Sequence, residues 1–542
     1  MLRDVQQLTA RTFDVLVVGG GIYGLAIARD AATRGLSVAV VERDDFGAGS
    51  SFNHLRTIHG GLRYLQNLDI DRARESIAER RALARMAPQA LRPLSVVVPL
   101  RRSIAKGRLA MRAGFLLDRV LTRRMNEGVA PSLRLQRGQL LSRRELLERF
   151  PEMDVRRFTG AALFNDYLAA EADRLTFSWA IASFEAGASL ANYVEATAPL
   201  TDGARVVGVR ATDKHADRQL EISARLTINA AGGGIGALLT PLGISAGIPL
   251  LKAMNLVTSR EAGAEAVAGR SSSGRNLFLV PWRGRALFGT WESPRVCEPT
   301  DTNVSGEDVR AFIRELNEAF PRLNLGPDDV TLVHRGLVPA VQMRGGAALE
   351  KHEQIRDHAP QGFEGIMSVA GTKYTTARAV AERIVDMALV KLGKGPAPCL
   401  TTDPLPGGAM ADPLTVLADA RAEYDALLPS ESLPHLVAAY GSRYRAITRL
   451  AGERKEWSER VSDACPVIGA QLVWAFRHEM AMTLTDAVVR RTPLGALGYP
   501  GDAAVDASAA ILGQELGWPD ERRDAEVGGL RRFYGTLNAW KT

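Results

Sequence analysis

The sequence contains few cysteines, few aromatic residues and no long apolar run. Its three cysteines, Cys297, Cys399 and Cys465, are far apart and odd in number, so they indicate neither a disulfide framework nor a cysteine-based metal site. A reducing compartment is therefore expected. No window reaches the ~18 consecutive apolar residues of a membrane span, and the N-terminal segment lacks the apolar centre of a signal peptide. These absences favour a cytoplasmic protein.

The chain is long and basic. Its 542 residues are too many for one compact core, which predicts two or three domains. The formal net charge of +7 favours anionic partners, whether substrate, lipid or nucleic acid. No nucleic-acid recognition motif is present and aromatic residues make up only 6% of the chain, which argues against nucleic acid. No His, Cys or carboxylate spacing predicts a metal site.

The rest of the chain is organised around residues 13–42. Residues 13–18 form a short apolar run rich in β-branched side chains, which is typical of a buried parallel strand. Residues 22–34 carry apolar side chains at helical spacing, and residues 37–41 form a second short strand. The order strand, helix, strand predicts a βαβ unit of an α/β, Rossmann-like domain.

Three glycines and one acid turn this unit into a predicted dinucleotide site. Gly19 permits a tight turn, Gly21 lets a pyrophosphate approach the backbone, and Gly24 lets helix and strand pack closely. The helix N-terminus offers N–H donors and the positive end of its dipole to that pyrophosphate. Glu42 ends the second strand, where a carboxylate can accept hydrogen bonds from a ribose.

Further along the chain, the pattern changes twice. Strand-like alternation through residues 181–232 ends in a glycine turn, and residues 247–330 read as an inserted sheet that could roof a substrate. A Pro/Gly-rich linker occupies residues 393–408, and the remainder is mostly helical. We therefore predict a dinucleotide-binding region at 1–398 that includes the inserted sheet, and a C-terminal helical domain at 399–542.

Residues 101–124 are rich in arginine and apolar side chains. On a helix, Arg108, Arg112, Arg119 and Arg123 fall on one side, while leucine, phenylalanine and valine supply apolar area elsewhere. This composition fits a helix lying in an anionic membrane surface. It fits a solvated surface helix equally well. Residues 70–88 are highly charged, and we predict an exposed helix there.

With these parts in place, the chain resembles the FAD-dependent glycerol-3-phosphate dehydrogenases, the flavin family that passes electrons to quinone. The matching motifs run collinearly from about residue 12 to 498; they include the strings IHGGLRYL (58–65), GTKYTTAR (371–378) and RHEMAMTLTDAVVRRTPLG (477–495). The resemblance implies an FAD domain interleaved with a β-rich substrate domain, a helical C-terminal domain, and attachment to the cytoplasmic face of the cell membrane without a span. The sequence leaves open whether the chain forms a homodimer.

The resemblance also assigns roles to residues. Arg63, Tyr64 and Arg356 become candidate substrate ligands, His59 a candidate base, and Lys373 a residue near both substrate and flavin, so His59, Lys373 and Arg63 form the predicted catalytic set. The fingerprint and the resemblance together predict these FAD contacts: Gly19, Gly21, Ile22, Tyr23, Gly24, Glu42, Ser50, Ser51, His59, Gly61, Ala231, Gly232, Gly371, Lys373, Tyr374 and Thr375.

Departures from the family pattern are concentrated in the substrate half. Where members carry glycine-valine-arginine-proline, this chain has Val338 in place of the arginine; Asn255 and Trp291 also replace family residues. Losing one guanidinium from a phosphate site typically costs ~1.5–3 kcal/mol. Either Arg335, Arg344 or another arginine compensates, or the substrate is not glycerol 3-phosphate.

The implied chemistry removes two electrons from a secondary alcohol. A base takes the hydroxyl proton while hydride passes from carbon to flavin N5. His59 is the first choice as base because the reference pKa of histidine is about 6.5; alternatively it is a structural histidine that caps the following helix. Lys373 could instead stabilise the developing alkoxide, or donate to the flavin.

Three hypotheses remain open. The first is a dehydrogenase of glycerol 3-phosphate or a close polyol phosphate, with quinone as acceptor. The second keeps the flavin but oxidises another polyol, hydroxy or amino substrate, which the replacement by Val338 favours. The third is a binding or regulatory protein that retains FAD without turnover.

Overall fold

The computed structural model describes residues 1–65, 69–101, 107–150, 158–320, 322–343 and 346–541, apart from the side chains of Arg63 and Leu65. The predicted role of the Arg63 side chain and the suggested compensation by Arg344 therefore lie outside the described residues. Within them, the protein is a mixed α/β structure with two large sheets and a helical C-terminal part.

The described strands, labelled in chain order, have the following bounds: β1 Phe13–Val18, β2 Val38–Val41, β3 Thr57–Ile58, β4 Leu91–Leu100, β5 Gln139–Leu141, β6 Gly160–Ala169, β7 Ser189–Ala191, β8 Val194–Asp202, β9 Arg205–Asp213, β10 Arg218–Asn229, β11 Leu250–Glu261, β12 Ala266–Arg270, β13 Asn276–Trp282, β14 Arg285–Glu292, β15 Val330–Met343, β16 Gly346–Leu349, β17 Gln354–Asp357, β18 Ile366–Ala370, β19 Arg460–Ser462 and β20 Cys465–Ile468.

The described α-helices have these bounds: α1 Val5–Thr9, α2 Ile22–Thr33, α3 Leu62–Leu65, α4 Ile70–Met86, α5 Arg108–Leu121, α6 Arg143–Arg149, α7 Ala172–Glu185, α8 Gly236–Leu239, α9 Gly306–Ala319, α10 Ala377–Lys391, α11 Pro413–Tyr424, α12 Ser432–Tyr440, α13 Tyr444–Ala451, α14 Lys455–Ser458, α15 Gly469–His478, α16 Asp502–Leu516 and α17 Asp520–Leu537. No helix in the described ranges is long and apolar enough to cross a membrane.

The first sheet contains the predicted βαβ unit. Its strand order is β17-β18-β10-β1-β2-β7, and β1 pairs in parallel with both β10 and β2. The carboxyl ends of β1 and β10 therefore lie side by side, and the glycine turns that follow them meet at one edge. Helices α2, α7 and α10 pack over this sheet through one apolar cluster. The predicted strand–helix–strand order is confirmed.

The second sheet faces the first across the cavity described below. Its order is β16-β15-β11-β14-β13-β12-β4-β6-β3, with β5 on β6, so it includes earlier strands as well as the predicted 247–330 segment. Helix α9 covers the face turned away from the first sheet's glycine turns, packing on Met254, Trp291 and Val333. The opposite face is left to form a cavity wall.

The C-terminal part is fastened to the first sheet by buried charge. The carboxylate of Asp45, just after β2, accepts hydrogen bonds from Arg490 (2.6 Å) and from both terminal nitrogens of Arg491 (2.6 and 2.8 Å). These two arginines lie in a π-helical turn, Asp486–Arg491. The predicted helical character of the C-terminal region is confirmed, whereas a domain boundary at residue 398 stays a prediction.

Helix α4 differs from the prediction of an exposed face. Glu79 accepts from Arg378 on α10 at 2.5 Å, and Arg80 donates to Asp166 on β6 at 2.5 Å. All of these side chains are largely buried. The sequence predicted that the charged side chains of α4 face solvent. Glu79 and Arg80 instead form ion pairs that hold α4 between the two sheets.

Candidate active site

A cavity of about 880 Å³ lies between the two sheets, above the glycine turns. Most of the predicted FAD contacts line it, namely Gly19, Gly21, Ile22, Tyr23, Glu42, Ser50, Ser51, His59, Gly61, Ala231, Gly232, Gly371, Lys373, Tyr374 and Thr375. Gly24 is not on the wall. It lies beneath the turn, as its predicted role in close packing requires. The structure therefore brings together residues that are far apart in the sequence, such as Tyr23 and Lys373, which are separated by 350 positions.

The first turn can be built only with glycine. Gly19 has φ of 108°, a left-handed conformation, and a Cβ there would come within 2.6 Å of the carbonyl oxygen of Ala230. A Cβ on Gly24 would collide with the carbonyl oxygen of Gly19. Gly21 caps α2 without a side-chain partner. The backbone is thus exposed to the cavity where a pyrophosphate would lie.

Glu42 lies at the edge of this turn and is buried. Its carboxylate accepts hydrogen bonds from the backbone N–H groups of Gly20 (2.6 Å) and Asp44 (2.9 Å). Burial raises the pKa of Glu42. The two backbone donors fix the carboxylate against the cavity while leaving lone pairs for a further donor such as a ribose hydroxyl.

Several predicted cofactor residues also hold the wall together. Ser51 Oγ accepts from the N–H of Ile22 at 2.9 Å, and Ser50 Oγ donates to the carbonyl of Leu337 at 2.9 Å. The hydroxyl of Tyr23 donates to the carbonyl of Lys373 at 3.0 Å. These bonds join the glycine turn, the substrate sheet and the turn after β18 into one frame.

Two polar atoms on the wall lack partners within the described part of the chain. They are Nε2 of His54 and Oδ1 of Asn53, and both are buried. The His54 ring stacks on the Tyr374 ring at 4.9 Å, and its Nδ1 accepts from the N–H of Arg56. An unpaired donor and acceptor on one wall fit the pyrimidine edge of a flavin, which offers both kinds of group. Sequence reasoning missed His54.

Burial and the nearby Arg56 cation lower the pKa of His54 well below its usual value. The ring is therefore neutral near pH 7. With Nδ1 accepting, Nε2 carries the proton and is a donor aimed at the cavity side. His54 is recognised as a candidate flavin contact only because its Nε2 is buried and has no hydrogen-bond partner in the described part of the chain. Neither property can be predicted from the amino-acid sequence around residue 54.

The predicted catalytic corner brings His59, Tyr64 and Lys373 together. The His59 and Tyr64 rings lie 6.0 Å apart in an edge-on arrangement, and Lys373 Nζ lies 4.5 Å from the centre of the Tyr64 ring. The backbone N–H of His59 donates to Thr375 Oγ1 at 3.4 Å. The turns of residues 59–61 and 371–375 are thereby held together across the cavity.

Lys373 has an unusual protonation equilibrium. Burial, assisted by the Arg72 cation, lowers the pKa of Lys373 to about 8. Arg72 itself stacks on Tyr64 at 5.2 Å and donates to the carbonyl of Lys351, a cavity-lining residue. Lys373 therefore carries a positive charge below about pH 8. Arg72 and Lys351 were not among the predicted site residues.

Arg356 lies elsewhere. Its guanidinium donates to the carbonyls of Ala246 and Gly247 and to the side chain of Gln354. It is not among the residues that line the cavity. The structure therefore does not bring Arg356 together with His59 and Lys373, and its role as a substrate ligand stays a prediction.

The substituted positions are split between two environments. Val338 and Asn255 line the cavity, and Asn255 Oδ1 accepts from Thr290 Oγ1 at 3.0 Å. Trp291 is buried with Met254 in the cluster beneath α9, so it faces away from the cavity. The sheet alternation explains this difference, since neighbouring residues of a strand point to opposite faces.

Arg335 cannot simply replace the missing arginine at position 338. Across the β11–β15 pair, Val338 lies opposite Leu251, whereas Arg335 lies opposite Met254 and therefore on the other face. Burial lowers the pKa of Arg335. Arg335 nevertheless lines the cavity, as do Gly336 and Val338, so this strand keeps one cation near the wall, although not at the position of Val338. No cluster of His, Cys, Asp and Glu that could hold a metal occurs in the described ranges.

Comparison with known proteins accounts for nearly the whole chain. Residues 14–387 match the family model described as FAD dependent oxidoreductase, and residues 399–523 match the C-terminal domain of alpha-glycerophosphate oxidase. A Synechocystis protein named glycerol-3-phosphate dehydrogenase is 30% identical over 547 residues, which cover 97% of each chain. The mouse mitochondrial glycerol-3-phosphate dehydrogenase is 30% identical, covering 98% of this chain and 75% of that protein.

Solved structures share the fold. The glycerol-3-phosphate dehydrogenase of Bacillus halodurans, complexed with FAD, superposes with a TM-score of 0.78 at 24% identity, over 99% of this chain and 97% of that one. Glycine oxidase from Geobacillus kaustophilus superposes less closely, with a TM-score of 0.51 at 18% identity over 73% of this chain and 99% of that one.

Proposed function

The chain belongs to the FAD-dependent oxidoreductase family and is a glycerol-3-phosphate dehydrogenase-like flavoenzyme, and from that premise we propose that it oxidises the secondary alcohol of glycerol 3-phosphate to dihydroxyacetone phosphate. The observation that carries the proposal is the corner of His59, Tyr64 and Lys373 beside the FAD cradle. The similarity to curated enzymes of that name over 97% of both chains supports it.

FAD supplies a two-electron acceptor, so the protein has to orient the alcohol and take one proton. His59 is the base in this proposal. Its ring lies beside Tyr64 on the cavity wall, and its backbone is fixed to Thr375. The carbon–hydrogen bond gives up hydride and the hydroxyl gives its proton to the imidazole, which leaves a ketone and balances charge.

Lys373 has a different part in the same step. Below its pKa of about 8 it is a cation at 4.5 Å from the Tyr64 ring centre, where it can bind a phosphate or stabilise a developing alkoxide. Arg72 and Lys351 add positive charge at this corner. The phosphate is therefore placed towards Tyr64 and away from the sheet position occupied by Val338.

A second function keeps the flavin and changes the substrate. Val338 removes the guanidinium expected from the family pattern, and Arg335, the arginine of β15 that lines the cavity, alternates to the other face of the strand. A different polyol, a hydroxy acid or an amino substrate would need less positive charge here. The third hypothesis is a protein that binds FAD without catalysing a reaction. It would be supported only if no substrate reduced the bound flavin.

Quinone is the acceptor in the proposal, reached from the inner face of the cell membrane to which the protein attaches peripherally. The apolar side chains of Phe278 and Val280 on the cavity wall suit an apolar acceptor beside the flavin. Self-association into a homodimer stays a prediction.

The test is anaerobic reduction of the bound flavin. Mixing the protein with saturating glycerol 3-phosphate should bleach the visible absorbance band of the flavin. Glycerol, which lacks the phosphate, should bleach this band far more slowly. If glycerol 3-phosphate leaves the flavin oxidised while a hydroxy or amino acid reduces it, the second function replaces the first. Purified protein that contains no FAD and cannot be reconstituted with it would remove every flavin-based proposal.

A further inference from the structure

Arg335 is a buried cation on the cavity wall. The residue is only 8% exposed, and it lines the cavity. No hydrogen bond, ion pair or ring contact to its guanidinium occurs within the described part of the chain. A guanidinium has five N–H donors and stays charged at any ordinary pH. Burial alone lowers the pKa of Arg335, so no described side chain compensates this charge.

Two other buried arginines show how the chain usually accommodates such a group. Arg174 donates to both carboxylate oxygens of Glu479, at 2.6 and 2.9 Å, and Arg491 donates to both oxygens of Asp45. A buried charge that lacks a partner is strongly destabilising. Because Arg335 lines a cavity, an anionic ligand could supply the partner that the described residues do not.

The backbone around Arg335 lies against residues predicted to bind FAD. Ser50 Oγ donates to the carbonyl of Leu337 at 2.9 Å, and a Cβ on Gly336 would lie 2.8 Å from that oxygen. A Cβ on Gly233, in the turn after β10, would lie 3.0 Å from the Leu337 side chain. This part of β15 therefore crosses the glycine turns, where the pyrophosphate of a dinucleotide is expected.

Strand twist explains how Arg335 reaches the cavity. Val333 lies on the face of β15 that α9 covers, and alternation places Arg335 and Leu337 on the same face. Leu337 nevertheless meets Gly233 of the first sheet. Because a strand twists along its length, this face has turned towards the glycine turns by residue 337. Arg335 lies between the covered and the uncovered part.

A neighbouring cation on this face already has its partners. Lys252 on β11 lies opposite Leu337, and its ammonium group pairs with Asp301 at 2.7 Å and donates to the carbonyl of Asn303. Lys252 is not among the residues that line the cavity. Of these two cations, Arg335 is therefore the one that can bind a ligand.

We propose that Arg335 binds a phosphate group of a ligand in the cavity, and that this phosphate belongs to the pyrophosphate of FAD. Guanidinium and phosphate form charge-assisted, often bidentate hydrogen bonds. The N–H donors at the start of α2 would bind the same pyrophosphate. The contacts of β15 with Ser50 and Gly233 favour FAD over the substrate, whose phosphate is proposed to bind near Tyr64. Cofactor retention through Arg335 does not depend on which alcohol is oxidised.

The experiment uses the full-length holoenzyme and measures how tightly it retains FAD. Dilution releases part of the cofactor, and the rise in flavin fluorescence gives the dissociation constant. Arg335→Met removes the charge and should raise this constant roughly ten- to a hundredfold. Arg335→Lys should lose less, because it keeps the charge without the bidentate geometry. The dissociation constant of ADP, measured by competition with FAD, should rise by the same factor as that of FAD, whereas that of adenosine, which has no phosphate, should not change.

The matched control is Arg260→Met, because Arg260 on β11 pairs with Asp329 at 2.9 Å and is not among the cavity-lining residues. This variant should retain FAD like wild type. Thermal unfolding at rising FAD concentration separates a ligand-binding role from a structural one. With FAD removed, Arg335→Met should unfold at or above the wild-type midpoint, since an unpaired buried charge is gone. With saturating FAD, wild type should be the more stable protein.

A second measurement distinguishes the two sources of phosphate. At saturating FAD, the KM for glycerol 3-phosphate should be the same in Arg335→Met and wild type. A raised KM with unchanged FAD affinity would transfer the phosphate to the substrate and overturn the assignment to FAD. Unchanged affinity for FAD and ADP, or unfolding of the FAD-free variant well below wild type, would overturn it as well. Failure of glycerol 3-phosphate to reduce the flavin would refute only the proposed function, because the FAD measurements need no substrate.

Discussion

The lowered pKa of Lys373 predicts how the reaction depends on pH. Burial and Arg72 bring this pKa to about 8, so the cation is present below pH 8 and is lost as the pH rises through it. If Lys373 binds the anionic end of the substrate, kcat/KM for flavin reduction should fall above pH 8, since this ratio reports the protonation state of the free enzyme.

The size of the effect follows from the environment of the ammonium group. A pair of unit charges ~4 Å apart is worth about 1 kcal/mol in bulk water and about 4 kcal/mol at an effective dielectric constant of 20. Lys373 is only partly buried, so an intermediate value of about 2 kcal/mol applies, which is roughly thirtyfold in kcat/KM. Lys373→Met should lower kcat/KM by that factor near neutral pH and remove the alkaline limb.

The assay is stopped-flow flavin reduction under anaerobic conditions, from about pH 6 to about pH 10. Lys373→Arg should keep activity at high pH because the guanidinium stays charged. Lys394→Met is the matched control, since Lys394 pairs with Asp14 away from the cavity. A wild-type profile that is flat through pH 8, or an alkaline limb that survives in Lys373→Met, would refute the assignment.

Three further predictions concern stability, catalysis and cofactor binding. Asp45→Asn leaves the buried Arg491 without its carboxylate and should destabilise the fold by about 3–5 kcal/mol, measured by denaturant unfolding. His59→Ala should slow flavin reduction far more than it weakens substrate binding, measured by single-turnover kinetics. Gly24→Ala should abolish FAD retention, because its Cβ would collide with Gly19, and absorbance of the purified protein measures this.

Each of these has a clear contrary result. Unfolding of Asp45→Asn at the wild-type denaturant midpoint would mean that the arginine pair is solvated. Equal losses of rate and affinity in His59→Ala would make the histidine structural. A normal flavin content in Gly24→Ala would mean that helix α2 can shift away from β1. Gly535→Ala, at a helical glycine with open space around it, controls for general effects of the substitution.

Much of the first sheet was predictable because local sequence dictates it. Short continuous apolar runs on either side of a glycine turn and a helix can fold in few other ways, and the observed β1, α2 and β2 match the expected order. Helix α4 was not predictable in the same way. Its charged residues pair with Arg378 and Asp166, which are distant in sequence, so periodicity alone read a buried face as solvated.

Only those site residues that belong to recognisable sequence motifs could be predicted. The turns at 59–61 and 371–375 were expected in the cavity and lie there. His54 and Arg72 could not be predicted from sequence motifs, because they join the site through contacts in the folded chain: His54 stacks on Tyr374 and Arg72 lies over Tyr64. Arg356 shows the reverse case, since its motif position suggested a ligand while its guanidinium is bound by backbone carbonyls.

The positions of positive charge constrain how a phosphorylated substrate could be oriented. The described cavity face of β15 presents Val338, and Arg335 lies on the other face of that strand. Two further cations, Lys373 and Arg72, lie over the ring of Tyr64. A phosphate drawn there would put the secondary alcohol between that corner and the FAD cradle. If the phosphate binds at the corner of Tyr64 and Lys373, the substitution Val338→Arg should compete for the phosphate and raise KM. If the phosphate instead binds beside position 338 of β15, the same substitution should lower KM.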